Sequence, residues 1–383
     1  MQFNRRTFAT SIAALPLLPA FSAVAQTAED TEMAAASLRM SALTKYFPGG
    51  DLDGTPLELV WIDPERQLFE IARGEEGEER LRAFVQSQFG NAPQFLASML
   101  ELEQYVGFGL LNILQLVALN PPPETMQAVR VNADLDDVDL PSIWEDAGYE
   151  KRQNDWGEFW TIGEDAEFDL SNPIQRMVMS AMNNITMLDE RIIGFAPKAY
   201  LLAQMMATDA GAVPTINDSI APVTESLPEN AISASLYDGS YLEFQVPGQM
   251  TAAQAEQFEQ LVNESDEAVS PMPVVRTAVV GTTEGAAIDP ELLSDDATGY
   301  AVLEVESDVG SAAEVIRWRH ENMDSLVTAQ PYREILGEID IEVVSDTVLR
   351  VSSREAARGA TFNGMILQGD TLMFAYREPD EIS

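Results

Sequence analysis

The sequence predicts an α+β protein with two similar halves, each a mixed or antiparallel sheet with helices packed on one face. Three observations lead to this fold class. Strand-like and helix-like patterns alternate along the chain, a similar order of elements recurs in the second half, and 46% of the 383 residues are hydrophobic. With 16 Phe, 9 Tyr and 5 Trp, such a chain is expected to fold around a sizeable core.

The N-terminus has the three parts of a secretory signal peptide. Arg5 and Arg6 form its basic end, an apolar stretch begins at Phe8, and Ala23 and Ala25 provide the small side chains of a cleavage site. An arginine pair with an apolar residue two places on resembles the twin-arginine consensus. We therefore expect an exported protein, periplasmic or extracellular, that uses the twin-arginine route.

Changes in composition divide the chain into five parts. Residues 208–228 contain one glycine and three prolines among small polar residues, which indicates a connection between the two halves. The predicted parts are a signal peptide (1–25), a linker or leading helix (26–55), an N-terminal α+β domain (56–207), the connection (208–228) and a C-terminal α+β domain (229–383).

The elements of the first half follow from apolar periodicity and turn residues. The uncharged segment 105–123 contains Asn112 and Gln115 and ends in three prolines, so it predicts a buried core segment rather than a membrane span. Pro141 and Gly148 mark the two ends of a helix. The predicted strands are 57–62, 126–133, 158–162 and the hairpin 185–195, and the predicted helices are 83–102, 140–147, 174–182 and 198–207.

The second half shows similar signals. Asp238-Gly239 and Gly369-Asp370 each predict a tight turn between two paired strands. Ser311, with a glutamate three places on, predicts the N-cap of a helix that runs to residue 326. The predicted strands are 231–236, 241–246, 273–281, 300–306, 339–344, 347–351, 365–368 and 371–376, and a further helix is predicted over 251–262.

Several short motifs between residues 105 and 207 form a pattern. Gly148-Tyr149-Glu150 ends a helix, aromatic residues follow in Trp156-Gly157 and Phe159-Trp160, and a DERII hairpin occupies 189–193. This pattern resembles that of uncharacterised exported α+β proteins of bacteria and archaea, of the domain-of-unknown-function type. The resemblance implies the fold and brings no activity with it.

The charge balance restricts the partners. The chain has 63 acidic and 22 basic residues, a formal net charge of -41. Such a chain repels phosphates, so we expect no nucleic acid partner, and the acidity indicates either adaptation to a salty solvent or attraction of cations or a basic partner. The absence of cysteine excludes a lipid anchor through a thioether and a disulfide framework. We also expect no stable transmembrane helix in the mature chain.

Motifs for cofactors and nucleophiles are missing from the sequence. His320 is the single histidine, which removes most nucleophile–base pairs, and no P-loop or dinucleotide fingerprint occurs. We therefore expect no organic cofactor. The densest acidic cluster suggests oxygen ligands for Ca²⁺, although its spacing does not match a calcium loop and a solvated loop or helix cap explains it better. Its members are Asp134, Asp136, Asp137 and Asp139.

These observations favour a non-enzymatic exported protein, acting in the envelope or outside the cell in a binding or structural role, and they leave its protein or small-molecule partner open. Two alternatives remain. A carboxylate-dependent hydrolase of the glycosidase type would use two of the abundant acids beside a group of aromatic residues. Without such a role, these aromatic residues are expected to belong to the core. A low-affinity calcium-binding protein would use the aspartate cluster. The aromatic group comprises Trp144, Tyr149, Trp156, Phe159 and Trp160.

Overall fold

A computed structural model gives the structure of the chain. It describes residues 36–49, 58–63, 95–120, 124–167, 169–243, 272–286, 293–325, 327–358 and 361–375. The predicted signal peptide and the helix predicted over 251–262 lie outside the described residues, as does most of the helix predicted over 83–102.

Twelve strands of the described residues form one sheet, in which every neighbouring pair is antiparallel. The strands are β1 (Glu58–Ile62), β2 (Ile113–Leu119), β3 (Met126–Val131), β4 (Glu150–Asn154), β5 (Gly157–Thr161), β6 (Asn184–Asp189), β7 (Ile192–Ala196), β8 (Ala231–Asp238), β9 (Val275–Thr283), β10 (Gly299–Val305), β11 (Ile339–Val343) and β12 (Val348–Ser353). Their order across the sheet is β11-β12-β10-β9-β8-β1-β2-β3-β7-β6-β5-β4. The predicted α+β class is confirmed.

Helices cover both faces of this sheet. They are α1 (Ala36–Thr44), α2 (Phe95–Val106), α3 (Leu140–Asp146), α4 (Pro173–Val178), α5 (Ala199–Asp209), α6 (Asn217–Thr224), α7 (Val309–Asn322), α8 (Tyr332–Leu336) and α9 (Thr361–Leu367). On face A, α2, α3 and α4 cover the first half and α7, α8 and α9 cover the second. On face B, α1, α5 and α6 cover the middle.

The single helical layer expected from the sequence is thus supplemented by a second one. The reason is visible in β2, the uncharged stretch of the sequence, which is buried at all seven positions and so needs cover on both faces. This result confirms the prediction of a buried core segment. Among the helices of the described residues, none is long and apolar enough to cross a membrane.

The two halves share one topology. From the centre outwards, β1-β2-β3-β7-β6 in the first half matches β8-β9-β10-β12-β11 in the second, and the β4–β5 hairpin extends the first half. The hairpins even share an irregularity: the register shifts just beyond the pair Gln115–Arg130 in one half and just beyond Thr277–Glu304 in the other. In this relation Leu59 is equivalent to Ala234, and Trp61 is equivalent to Leu236. The pairing of β1 with β8 obeys it, since Leu59 pairs with Leu236 and Trp61 pairs with Ala234.

Two predicted hairpins are wrong. Residues 361–367 form α9, whose Phe362, Met365 and Ile366 have helical spacing and are buried in the core, so no strand covers 365–368. After β8, the Asp238 carboxylate accepts a hydrogen bond from the Ser240 amide (2.9 Å), and the chain turns into a short 3-10 helix over 239–241. As a result, β8 pairs with β9 rather than with a strand starting at 241.

Three other elements differ from prediction. The long helix begins at Val309, because Asp308 is the N-cap and accepts the Ser311 amide (3.1 Å). The predicted connection 208–228 contains α6, with Pro222 inside it. Strand β4 was not predicted, because it is an exposed edge strand, EKRQN, without apolar alternation.

A buried ion pair lies where the halves meet. Arg39 of α1 and Asp63 at the end of β1 approach to 3.1 Å, and their side chains are only 1% and 3% exposed. The guanidinium also donates to the Ala231 carbonyl at the start of β8 (2.6 Å) and lies 5.8 Å from the centre of the Trp61 ring. Arg39 therefore ties α1 to both central strands.

Replacing Arg39 should strongly destabilise the protein. In Arg39→Met, Asp63 stays buried while its cationic partner is removed, which costs about 3–5 kcal/mol in free energy of unfolding. Urea unfolding measures this loss, and the double variant Arg39→Met/Asp63→Leu should recover much of it. Arg317→Met, at an exposed arginine of α7, is the control, and an equal loss in the two single variants would contradict the prediction.

The first residue of β1 should make stability depend on pH. Burial raises the pKa of the Glu58 carboxyl above its ordinary value of 4.5, partly offset by a hydrogen bond from Tyr241. The native state thus favours the neutral form of Glu58. The contribution of this carboxyl to the free energy of unfolding is fully present below pH 4.5 and is lost as the pH rises through the higher pKa of the folded state.

We therefore expect Glu58→Gln to raise the melting temperature at pH 7 and to lose this advantage at low pH. Because removal of any acid lowers the self-repulsion of this chain, Asp340→Asn on the exposed edge of β11 measures that general effect. Equal gains from the two variants at pH 7 would refute the local explanation.

Candidate functional site

A cavity of about 340 Å³ opens on face B between α1 and the ends of β2, β3 and β7. We call it the α1 cavity. Its floor is one row of three residues on adjacent strands, because Gln115 pairs with Arg130 and Arg130 pairs with Ile192. Their side chains point to face B, as does the core residue Val117 two places beyond Gln115.

The end of α1 forms the roof of the α1 cavity. Leu43 packs into the core of face B, whereas Lys45 is exposed and Tyr46 is buried. The Lys45 ammonium lies 4.6 Å from the centre of the Tyr46 ring, and among the described residues it forms no ion pair. Lys45 also lowers the pKa of the Asp209 carboxyl, which burial otherwise raises.

The turn between β6 and β7 forms the rim. Asp189 accepts hydrogen bonds from the Tyr46 hydroxyl (3.2 Å) and the Glu190 amide (2.7 Å). Burial, followed by the negative charge of Asp189, raises the pKa of Tyr46, which keeps its hydroxyl protonated. Arg191 also lines the cavity, but its guanidinium is bound by Asp136, to which its Nε donates (2.7 Å).

Two polar groups in the floor lack partners. Arg130 is partly buried, and its side chain forms no hydrogen bond or ion pair with any residue that the structure describes. Gln115 is 1% exposed, and its Oε1 has no hydrogen-bond partner there either. An unpaired buried amide oxygen costs about 1–3 kcal/mol, but Asn120 Oδ1 and Gln127 Oε1 are unpaired elsewhere in the described structure as well. The free guanidinium of Arg130 in an open cavity is therefore the feature that favours a binding site here.

The predicted aspartate cluster has other roles. Arg191 holds the pKa of Asp136 below its usual range, and Ser142 does the same for Asp139, the N-cap of α3. Asp134 accepts a hydrogen bond from Asn132 (3.2 Å). Among the described residues, no three acidic or histidine side chains are arranged to hold a metal ion. Calcium binding by Asp134, Asp136, Asp137 and Asp139 stays a prediction that this geometry does not support.

Most of the predicted aromatic group is core. Trp144 and Trp160 meet edge to face at 5.3 Å, and their indole nitrogens donate to Val106 and Glu145. Tyr149 and Phe159 are also buried, and Trp156 is the exposed member at 45%. These buried rings support the fold, whereas the hydrolase alternative would need them beside its catalytic acids.

His320 is packed inside the protein. It is 6% exposed on α7, its Nε2 lies 2.9 Å from the Gly337 carbonyl oxygen, and burial lowers its pKa. The residues of the α1 cavity were not predicted as a site. A usable signal existed, because Gln115 is the single polar residue of the strand ILQLVAL and Arg130 is the single charged residue of the strand MQAVRV.

Comparison with known proteins adds little. No family model and no curated protein matches the chain. Two solved structures of TP0453, crystal forms III and I, align over 84% and 85% of this chain and 97% of TP0453. Each shares 8% identity with this chain at a TM-score of 0.34. A likeness this low carries no conclusion, and the resemblance to exported α+β proteins stays a prediction.

The floor of the α1 cavity should cost the protein stability. Gln115→Met keeps the length of the side chain and removes the unpaired amide, so we expect the free energy of unfolding to rise by about 1 kcal/mol. Urea unfolding tests this against Gln153→Met, at an exposed position of β4. A loss of stability specific to Gln115→Met would show that the amide is satisfied.

Proposed function

We propose that this chain is an exported, non-enzymatic binding protein and that its ligand occupies the α1 cavity. The observation that carries the proposal is the Arg130 guanidinium in the floor, which has no side-chain partner among the described residues. A ligand in the cavity that accepts hydrogen bonds from this guanidinium would supply the partner that it lacks in the described structure.

Export rests on the predicted leader, with Arg5 and Arg6 ahead of its apolar stretch. The sequence contains no cysteine and no nucleotide-binding motif, and an exported protein that binds a small molecule needs neither. A volume of about 340 Å³ falls within the usual range for small-molecule pockets, about 300–1,000 Å³.

The lining of the α1 cavity favours binding over catalysis. It contains no serine, threonine, cysteine or histidine, so the usual nucleophile–base pairs are missing from this part of the described structure. A glycosidase places one carboxyl group on each side of the scissile bond. Here both carboxyl groups of the lining, Asp189 and Glu190, belong to the β6–β7 turn, and the opposite wall at the end of α1 has none.

A ligand screen tests the proposal. The purified protein is melted with amino acids, simple carboxylates, amines, sugars, inorganic phosphate and nucleotides, and proton NMR records whether each ligand is consumed. We expect at least one class to raise the melting temperature, Arg130→Gln to abolish that rise, and the ligand to remain intact.

Arg317→Gln makes the same charge change at an exposed arginine on the other half and should keep the response. Turnover of any ligand, or no stabilisation by any class, would overturn the proposal.

A further inference from the structure

The α1 cavity holds opposite charges on different walls. Arg130 lies in the floor and Lys45 in the roof, whereas Asp189 and Glu190 lie on the rim. No ion pair joins the two cations to the two acids in the described structure, although all four line one cavity. Charges of opposite sign that remain apart across a cavity favour an occupant that carries both signs.

The cationic side suits a carboxylate. The planar guanidinium of Arg130 can donate two parallel hydrogen bonds to a carboxylate, and Lys45 adds a point charge from the opposite wall. Since Arg191 is bound by Asp136, it does not compete for the same anion. Carboxylate binding would therefore use the two cations that form no ion pair with the protein.

The acidic side suits an ammonium group. Glu190 accepts no hydrogen bond through its carboxylate among the described residues, and Asp189 is held in place by the Tyr46 hydroxyl. An ammonium group has three N–H donors, enough to reach several of these acceptors at once.

The charge of the whole chain also selects the ligand. At a net charge of -41, the protein repels a simple anion at long range. A zwitterion has no net charge, so it approaches without this repulsion and meets Arg130 only at short range. The apolar side chains of Ala42 and Ile192 also line the cavity and offer contact to a short carbon chain.

On the basis of the function proposed above, we propose that the α1 cavity binds a small zwitterion of the amino-acid class. Its carboxylate contacts Arg130 and Lys45, and its ammonium group contacts Glu190 and Asp189.

Matched probes test the charge requirement. A screen of the twenty amino acids first identifies the best side chain. Calorimetry then compares L-norvaline, a zwitterion with an unbranched carbon chain, with pentanoate, which lacks the ammonium group, and with butylamine, which lacks the carboxylate. We expect the amino acid to bind at least tenfold more tightly than either single-charge analogue of the same carbon chain.

Variants assign the two ends. Arg130→Gln and Glu190→Gln should each weaken amino-acid binding at least tenfold, while Arg317→Gln and Glu338→Gln, which alter exposed residues of the second half, should leave it unchanged. Because neither cavity side chain bonds to the described protein, both variants should fold, and thermal melts check this.

The outcomes separate the two proposals. Equal binding of pentanoate and the amino acid would overturn the zwitterion inference while the binding function stands, and so would preference for a sugar or phosphate. Loss of binding in the control variants would also overturn it. No binding by any class would overturn both proposals.

Discussion

Strands β1 and β8 pair over five positions, from Glu58–Tyr237 to Ile62–Ser233, at the centre of the twelve-stranded sheet. All other strands of the described residues extend outwards from this pair, so both halves depend on it for their place in one sheet. Arg39 stabilises the same joint from face B through Asp63 and the Ala231 carbonyl. That ion pair is almost fully buried, and the contacts that compensate for its desolvation exist only while α1 is packed on the sheet. The roof of the α1 cavity belongs to the same helix, and the cavity thus depends on the joint.

The α1 cavity lies where regular pairing ends. The register of β2 and β3 shifts just past Gln115 and Arg130, so these side chains occupy the last regular row before the irregularity. A core position there would suit an apolar residue, and Ile192 at the end of the row shows that one fits. The protein instead keeps an unpaired amide and a guanidinium without a partner. Unpaired polar groups at these positions lower the stability of the fold, and such residues are typical of functional positions.

Much of the fold could be predicted from the sequence, because apolar periodicity and turn residues act locally. The β6–β7 hairpin, α3 and α5 were predicted within a few residues. Predictions failed where tertiary context decides. The apolar run at 365–367 is short enough to suit either a strand or a helix, and β4 has no apolar face to detect. The candidate site was missed for a similar reason. Gln115 and Lys45 are 70 residues apart in sequence, and only the packing of α1 on the sheet brings them together.

The two-fold relation of the halves extends to the floor of the α1 cavity. In the second half, the row equivalent to Gln115–Arg130–Ile192 is Thr277–Glu304–Val348, identified by the matching register shift. Two identical halves pairing through their first strands would form the same sheet as a symmetric dimer and would present the same row twice. In this chain, the arginine of one row is replaced by a glutamate in the other. The positive charge therefore occurs in one of these two rows alone, so the ligand contact proposed for Arg130 has no counterpart in the second row.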